Sequence, residues 1–387
     1  MRAALTDPPI LALMVAQTLI WASIFYVFPA LVLHWQDEFG WSSGQVMGAF
    51  SLALAIQGLA SGRVGGLIDR GLAPLSMPTG AVLGALCLAA LTQVQHLWQF
   101  YAVWAVMGLA MSLTLYDAAF ALVVRGRDET ARAGITAITL VAGFASTLAY
   151  PLTAWLSDLS GWRLAVWVLI GLVLAVNLPL ATFAARRLER EGAGRALPDA
   201  TQAPEAWRRP GFWPVTLGFA LSALAVGIVV SHLLPLLTAV GVGTASAVLA
   251  ASMIGPAQVA GRIALTLGGA RTAARTLSIL AFGGMGLAAS LLFGAGALPA
   301  IVFAFALLHG MCTGIVSILR PVVIRETLGS RNFGAVQGAV VRPSLFAFAA
   351  APFVAAMLAD AGGYLPVLAL CIMAQGAGAV LLSRLRT

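Results

Sequence analysis

Asp117 lies in MSLTLYDAAFALVVR (111–125), an apolar run whose nearest charged residue, Arg125, is eight positions on. Residues of this kind are functional candidates by default, because something must offset their desolvation. Two arginines share the difficulty: Arg342 follows Arg331 by eleven positions, and Arg262 precedes Arg271 by nine. At the rise of a helix, Asp117 would lie about 12 Å, Arg262 about 13 Å and Arg342 about 16 Å from those boundary charges. Arg320 is only about 8 Å from Arg325 and can snorkel to the interface. A guanidinium cannot shed its charge, so Arg342 puts a permanent cation near the membrane centre. Either it binds an anionic solute in bidentate fashion, or it forms a structural ion pair, with Asp117 the obvious partner. Asp117 in turn is a proton-coupling group, an ion-pair partner, or a neutral carboxyl hydrogen-bonded to Thr114 one turn earlier.

Other polar positions carry less chemistry. Tyr26 precedes Pro29 and Tyr150 precedes Pro151. Prolines in membrane helices free carbonyls that can line a cavity, so both tyrosines are candidate substrate hydroxyls or packing residues. His309, and His232 one turn before Pro235, can titrate near neutral pH or simply pack. Gly108 and Ser112, at i and i+4, read as a small-residue contact between helices.

The elements that must carry these residues follow from composition. Of 387 residues 60% are hydrophobic and 9% charged, with a mean hydropathy of +0.95, which points to a membrane rather than a soluble core. Breaks at charged, Gly-rich and Pro-rich stretches leave twelve apolar segments: 10–33, 43–62, 77–95, 98–124, 133–157, 162–185, 211–238, 244–266, 276–296, 298–320, 334–358 and 362–383. Each is long enough to cross the bilayer as a helix. The first is too long for a signal peptide and reads as a retained span. All 22 basic residues are Arg, and they fall between spans rather than in one patch, which argues against nucleic-acid binding. Fifteen lie in the loops of one side, with Arg2, Arg384 and Arg386 at the termini, while Arg163 stands on the other side with Asp37, Glu38, Asp158 and Asp360. Both termini and the 186–209 linker are therefore expected in the cytoplasm.

Cys87, Cys312 and Cys371 form no CxxC and read as packing residues. With no HExxH, no Ser-centred elbow, no GxxxxGK[ST] and no clustering of His34, His96, His232 and His309, neither an enzyme, a metal, a cofactor nor ATP hydrolysis is expected.

Similarity recurs near an offset of 200 residues. ASGRVGGLIDRG follows the second span and VAGRIALTLGGA the eighth; AYPLTAWLSDLSG (149–161) resembles AAPFVAAMLADAG (350–362). The pattern predicts an all-α membrane protein of two pseudo-symmetric six-helix bundles, 1–185 and 211–387, joined by a cytoplasmic linker, 186–210. GGLIDRG (65–71), with Gly65, Asp69 and Arg70 at the expected spacing, resembles the loop motif of the major facilitator superfamily, though GLAPLSM stands where a basic cluster would follow.

Trp104 occupies the position, four before Gly108, where drug-exporting branches carry Arg. FGWSSGQVMGAFSLAL (39–54) and the fourth- and fifth-span text resemble monocarboxylate porters and oxalate exchangers. AAFALVV (118–124) and ITLVAGFASTLAYPLT (138–153) also resemble exporters of arsenical resistance. In the former group basic residues on the eighth and eleventh spans match Arg262 and Arg342, while Gln258 replaces the carboxylate that precedes the eighth-span Arg. Arg262 also shares a Gly-Arg step with Arg63 and reads equally as a cytoplasmic-end anchor.

The resemblance implies a monomeric secondary transporter using alternating access and a proton or solute gradient, and the buried arginines, with Trp104 in place of the drug-exporter Arg, point to a small, anionic solute. Arg342, Arg262, Tyr26, Tyr150 and His309 would bind substrate, Asp117 and His232 would couple protons, and Gly65, Asp69 and Arg70 would form the conformational motif. The alternative is a proton-coupled exporter of neutral or cationic toxic compounds. The all-Arg composition suggests a bacterial inner membrane.

Overall fold

The structure, a computed structural model, describes residues 6–127, 130–192, 203–268 and 272–385. Among these, sixteen α-helices run in chain order and no strand occurs. They are α1 (Pro8–Ile20), α2 (Val27–Phe39), α3 (Ser43–Asp69), α4 (Ala73–Leu91), α5 (Leu97–Thr114), α6 (Tyr116–Arg127), α7 (Ala131–Ala142) and α8 (Ala145–Ser160). There follow α9 (Trp162–Leu172), α10 (Leu178–Gly192), α11 (Phe212–Ala239), α12 (Thr244–Gly268), α13 (Ala274–Leu291), α14 (Ile301–Leu328), α15 (Phe333–Gly362) and α16 (Tyr364–Ser383). Ten stretches among the described residues are long and apolar enough to cross a membrane. The other two expected spans are helical as well, 133–157 as α7 followed by α8 and 244–266 within α12.

Several spans are interrupted inside the apolar run. A π-helical turn, Trp21–Phe25, joins α1 to α2 just ahead of Pro29, which has no N–H for the Phe25 carbonyl. A second, Val173–Asn177, joins α9 to α10. The fourth span breaks at Leu115, whose ψ of −171° is extended, so α6 restarts at Tyr116. At His232 (φ −112°, ψ 16°) α11 kinks. By contrast α3 is uninterrupted: Ser42 and Gln45 close a capping box at its start, and Gly71, at φ +85°, turns the chain after its end.

Contacts divide the chain into two units, the first comprising 1–204 with 330–342, the second 205–329 with 343–387. Within the first, Phe28, Trp35, Phe100 and Trp104 form an aromatic core, with Phe28 and Trp104 centroids 4.8 Å apart edge-to-face. There α3 and α5 approach so closely at Gly108 that a Cβ would strike the Ala53 carbonyl, the contact expected of a small residue. In the second unit α12 packs on α14 in the same way: a Cβ on Gly310 would come within 2.6 Å of that of Ala257. Val302, Phe305 and Leu237 lie in its core. Cys87, Cys312 and Cys371 are buried and free, and the Cys312 thiol fills the space over Gly284.

Candidate functional site

Within the first unit, residues 330–342 are held against α3 and α6 by polar contacts. Gly65 lets the backbones meet, because a Cβ there would run into the Gly334 carbonyl. The Asp69 carboxylate, 6% exposed, accepts from the amides of Gly334 (3.0 Å) and Ala335 (2.8 Å) at the start of α15. Those amides have no partner inside their own helix, and the positive end of the helix dipole favours the carboxylate. One turn further on, Ser61 Oγ donates to the Gly338 carbonyl at 2.9 Å. Arg125 grips Glu189 with two bonds of 2.7 Å and donates a third, also 2.7 Å, to the Asp69 carbonyl. Arg70, the last residue of the predicted motif, is exposed just past α3.

Asp117 stands in the first turn of α6, immediately after the break at Leu115. A carboxylate there is favoured by the dipole of the restarted helix, an effect of about 0.3–1 kcal/mol at exposed sites and more where partly buried. Gln337, 1% exposed, donates from Nε2 to Asp117 Oδ1 at 3.1 Å, while its own Oε1 is buried without a partner. The Thr114 hydroxyl donates to the Ala110 carbonyl at 2.7 Å, as threonines inside helices commonly do. The Thr114 carbonyl, left over at the break, accepts from Gln17 Nε2 at 2.7 Å.

Arg342 is half-buried in α15 and donates from Nε to the Gly58 carbonyl at 3.1 Å. Its guanidinium lies over α3, where a Cβ on Gly62 would come within 2.9 Å of Nη2. Its contact is a neutral carbonyl, and the pairing with Asp117 considered above does not occur. Tyr26, in the same unit, is half-buried beside Trp21 and Phe25. The side chain of Tyr150 lies outside the described residues.

In the second unit Arg262 is 6% exposed, unlike Arg63, which is exposed on α3. Its Nε donates to Ser317 Oγ at 3.3 Å, and Nη1 is buried with no partner. A buried donor left unbonded costs roughly 1–3 kcal/mol, and more when charged. His232, at the α11 kink, is 3.1 Å from Tyr364 Oη through Nδ1 and 3.0 Å from the Pro352 carbonyl through Nε2. A carbonyl only accepts, so Nε2 carries a proton there. His309 is buried in α14 with its ring stacked on Phe305 at 5.4 Å.

The family model of the Major Facilitator Superfamily matches residues 13–341. The chain belongs to this superfamily. Among solved structures it resembles the superfamily's proton:xylose symporter XylE, bound to 6-bromo-6-deoxy-D-glucose, with a TM-score of 0.72 and 12% identity. That match covers 97% of this chain and 94% of the other. A structure of the E. coli fucose:proton symporter FucP gives a TM-score of 0.71 at 15% identity, covering 98% and 100%. FucP in the outward conformation gives 0.71 at 14%, covering 99% and 100%. At these identities the likeness is one of fold. A search of curated proteins finds no match. As a major facilitator, the chain is a multi-pass membrane transporter with the superfamily's all-α fold, which supports secondary active transport rather than enzymatic catalysis.

Sequence reasoning passed over Gln337, Gln17 and Ser317. The signal for Gln337 was present: an amide between Gly334 and Gly338, which at i and i+4 mark a close helix contact. A polar side chain beside such a seam is carried into the contact.

Proposed function

We propose that this major facilitator moves a small anionic solute across the bacterial inner membrane by alternating access, driven by a proton or solute gradient. Both termini are cytoplasmic and the transporter works as a monomer. The observation that carries the reading is Arg342, a guanidinium inside a membrane helix whose contact is a neutral carbonyl instead of an acid. A permanent cation in that setting has capacity for an anion, and the fork of a guanidinium suits a carboxylate or oxyanion. Arg262 adds a second buried guanidinium with an unbonded Nη1. Asp117 lies on the proton path, and His232, bonded on both ring nitrogens, is a second titratable group at a helix kink. Tyr26, Tyr150 and His309 are assigned to the substrate side with Arg342 and Arg262. Gly65, Asp69 and Arg70 form the conformational motif, in which the bonds from Asp69 to the start of α15 break and re-form during transport.

A thermal-shift screen tests this reading on purified wild type, Asp117→Asn and Arg342→Ala at two pH values. The panel holds small carboxylates, inorganic oxyanions, trivalent arsenicals and lipophilic cations. Stabilisation by an anion, lost in Arg342→Ala, is the expected result. Stabilisation by neutral or cationic compounds, lost instead in Asp117→Asn, would overturn the anionic assignment and make this an exporter whose carboxylate holds the substrate or its proton.

A further inference from the structure

We propose that Gln337 senses the charge of Asp117 and passes it to residues 330–342, so that protonation of Asp117 loosens this segment from α3 and α6. The inference rests on the reading of Asp117 as a proton-carrying group. An ionised carboxylate only accepts hydrogen bonds, and Gln337 meets it with Nε2, at 3.1 Å from Oδ1 and 3.4 Å from the backbone carbonyl of the same residue. The amide thus meets Asp117 as a donor, the role that a charged carboxylate requires of its partner. Gln337 Oε1 lies buried and unbonded on the other side of the same planar group.

When a proton from water binds an Asp117 carboxylate oxygen, no other covalent bond changes. The bond from Nε2 loses its charge assistance, which accounts for about half the strength of such bonds. The new O–H needs an acceptor, and a half-turn of the terminal amide presents Oε1 to it. Gln337 thus has a partner atom for each charge state, and exchanging them turns the side chain within a tightly packed seam. Its neighbours on α15 are the points at which the segment is held: Gly334 and Ala335 on Asp69, Gly338 on Ser61, and Arg342 on Gly58.

The helices α10, α3, α7, α5 and α1 pack against α6, and residues 330–342, which carry Arg331 and Arg342, meet it through Gln337. Their charged and titratable groups are Arg186, Arg187, Glu189, Arg190 and Glu191 on α10, Arg63 and Asp69 on α3, Arg132 on α7, Tyr101 on α5 and Asp7 ahead of α1. On α6 itself stand Tyr116, Arg125 and Arg127. The other acids are engaged elsewhere: Asp69 with α15, Glu189 with Arg125, and Asp7 and Glu191 with Arg127. Asp117 is the acid that meets Gln337.

Amide hydrogen exchange of the peptide covering 330–342, followed by mass spectrometry on full-length detergent-purified protein across a pH range that extends below the ordinary carboxylate value, tests the proposal. Rates are corrected for the intrinsic effect of pH. In wild type the segment should exchange on the order of tenfold faster at the acid end. This step should vanish in both Asp117→Asn and Gln337→Met. Should Gln337→Met fail to fold, Gln337→Asn retains the amide but withdraws it by one methylene, and should also lose the step. A step lost in Asp117→Asn yet kept in the Gln337 variants would overturn the role of Gln337 and leave Asp117 as the proton site. No step in wild type, or one kept in Asp117→Asn, would overturn the reading of Asp117 and this proposal with it.

Discussion

Arg63 and Arg262 occupy matching Gly-Arg steps of the repeat, yet one is exposed and the other 6% exposed. On its own side α12 packs closely on α14 at Gly310 and Gly314, and Arg262 Nε donates to Ser317 of α14. Arg63→Ala should accordingly leave anion-induced thermal stabilisation unchanged, whereas Arg262→Ala should reduce it about tenfold in apparent affinity, as expected for one charged hydrogen bond. Titrating the stabilising anion against both variants checks this. Gly65 and Gly66 offer a second contrast. A Cβ on Gly65 would strike the Gly334 carbonyl, while one on Gly66 would meet the Ala335 methyl at an ordinary 4.0 Å. Gly65→Ala should cost about 1–3 kcal/mol, the range for overpacking, and Gly66→Ala close to nothing, as read from unfolding temperatures. Asp117 and Arg342 were legible as residues needing an explanation, because a charge inside an apolar run is visible in one dimension. Their contacts were not legible, since Gln337 and Gly58 are selected by the approach of other elements.

Among the elements, the helices themselves were legible throughout, for a chain in lipid must satisfy its own backbone and so has little choice. The interruptions were less so. Pro29 marks the π-helical turn beside it, but nothing in LTLYD announces the extended Leu115 that turns a mid-span aspartate into the opening residue of a new helix. Outside the spans, Glu38 at the end of α2 accepts from Arg163 (2.7 Å) and from the Trp162 indole (2.5 Å) across the start of α9. The Arg163 bond, foremost, holds the Glu38 carboxyl below its ordinary value of 4.5, with burial opposing and Trp162 assisting. A depressed carboxyl contributes stability that is present above the unfolded value and lost as pH falls through the folded one. Wild type should therefore unfold at a higher temperature than Glu38→Gln at pH 6, and the gap should close as pH drops below about 4.5. A gap that persists unchanged at acid pH would assign the contribution to packing instead.

Over the whole molecule, span count and Arg asymmetry follow from hydropathy and charge, and both can be read along the chain. Boundaries at 185 and 211 are expected from the linker in the same way, though residues 193–202 of it lie outside the described residues. Grouping by contact is a different quantity, and it assigns 330–342, late in the second repeat, to the first unit. This unit is thus discontinuous in sequence, which bears on how the polypeptide tolerates being cut. A break between Gly192 and Ala203 would yield an amino-terminal fragment in which the stripe Gly58, Ser61, Gly62 and Gly65 is uncovered and Asp69 has lost its two amide donors. Expressed alone, the fragment 1–192 should be cleared by proteolysis. Co-expressed with 203–387, it should survive and co-purify, because the second fragment carries the missing piece. Asp69→Asn in the first fragment should weaken that recovery. The protein is then a case for fragment complementation, because the first unit is completed by residues 330–342, which the second fragment carries.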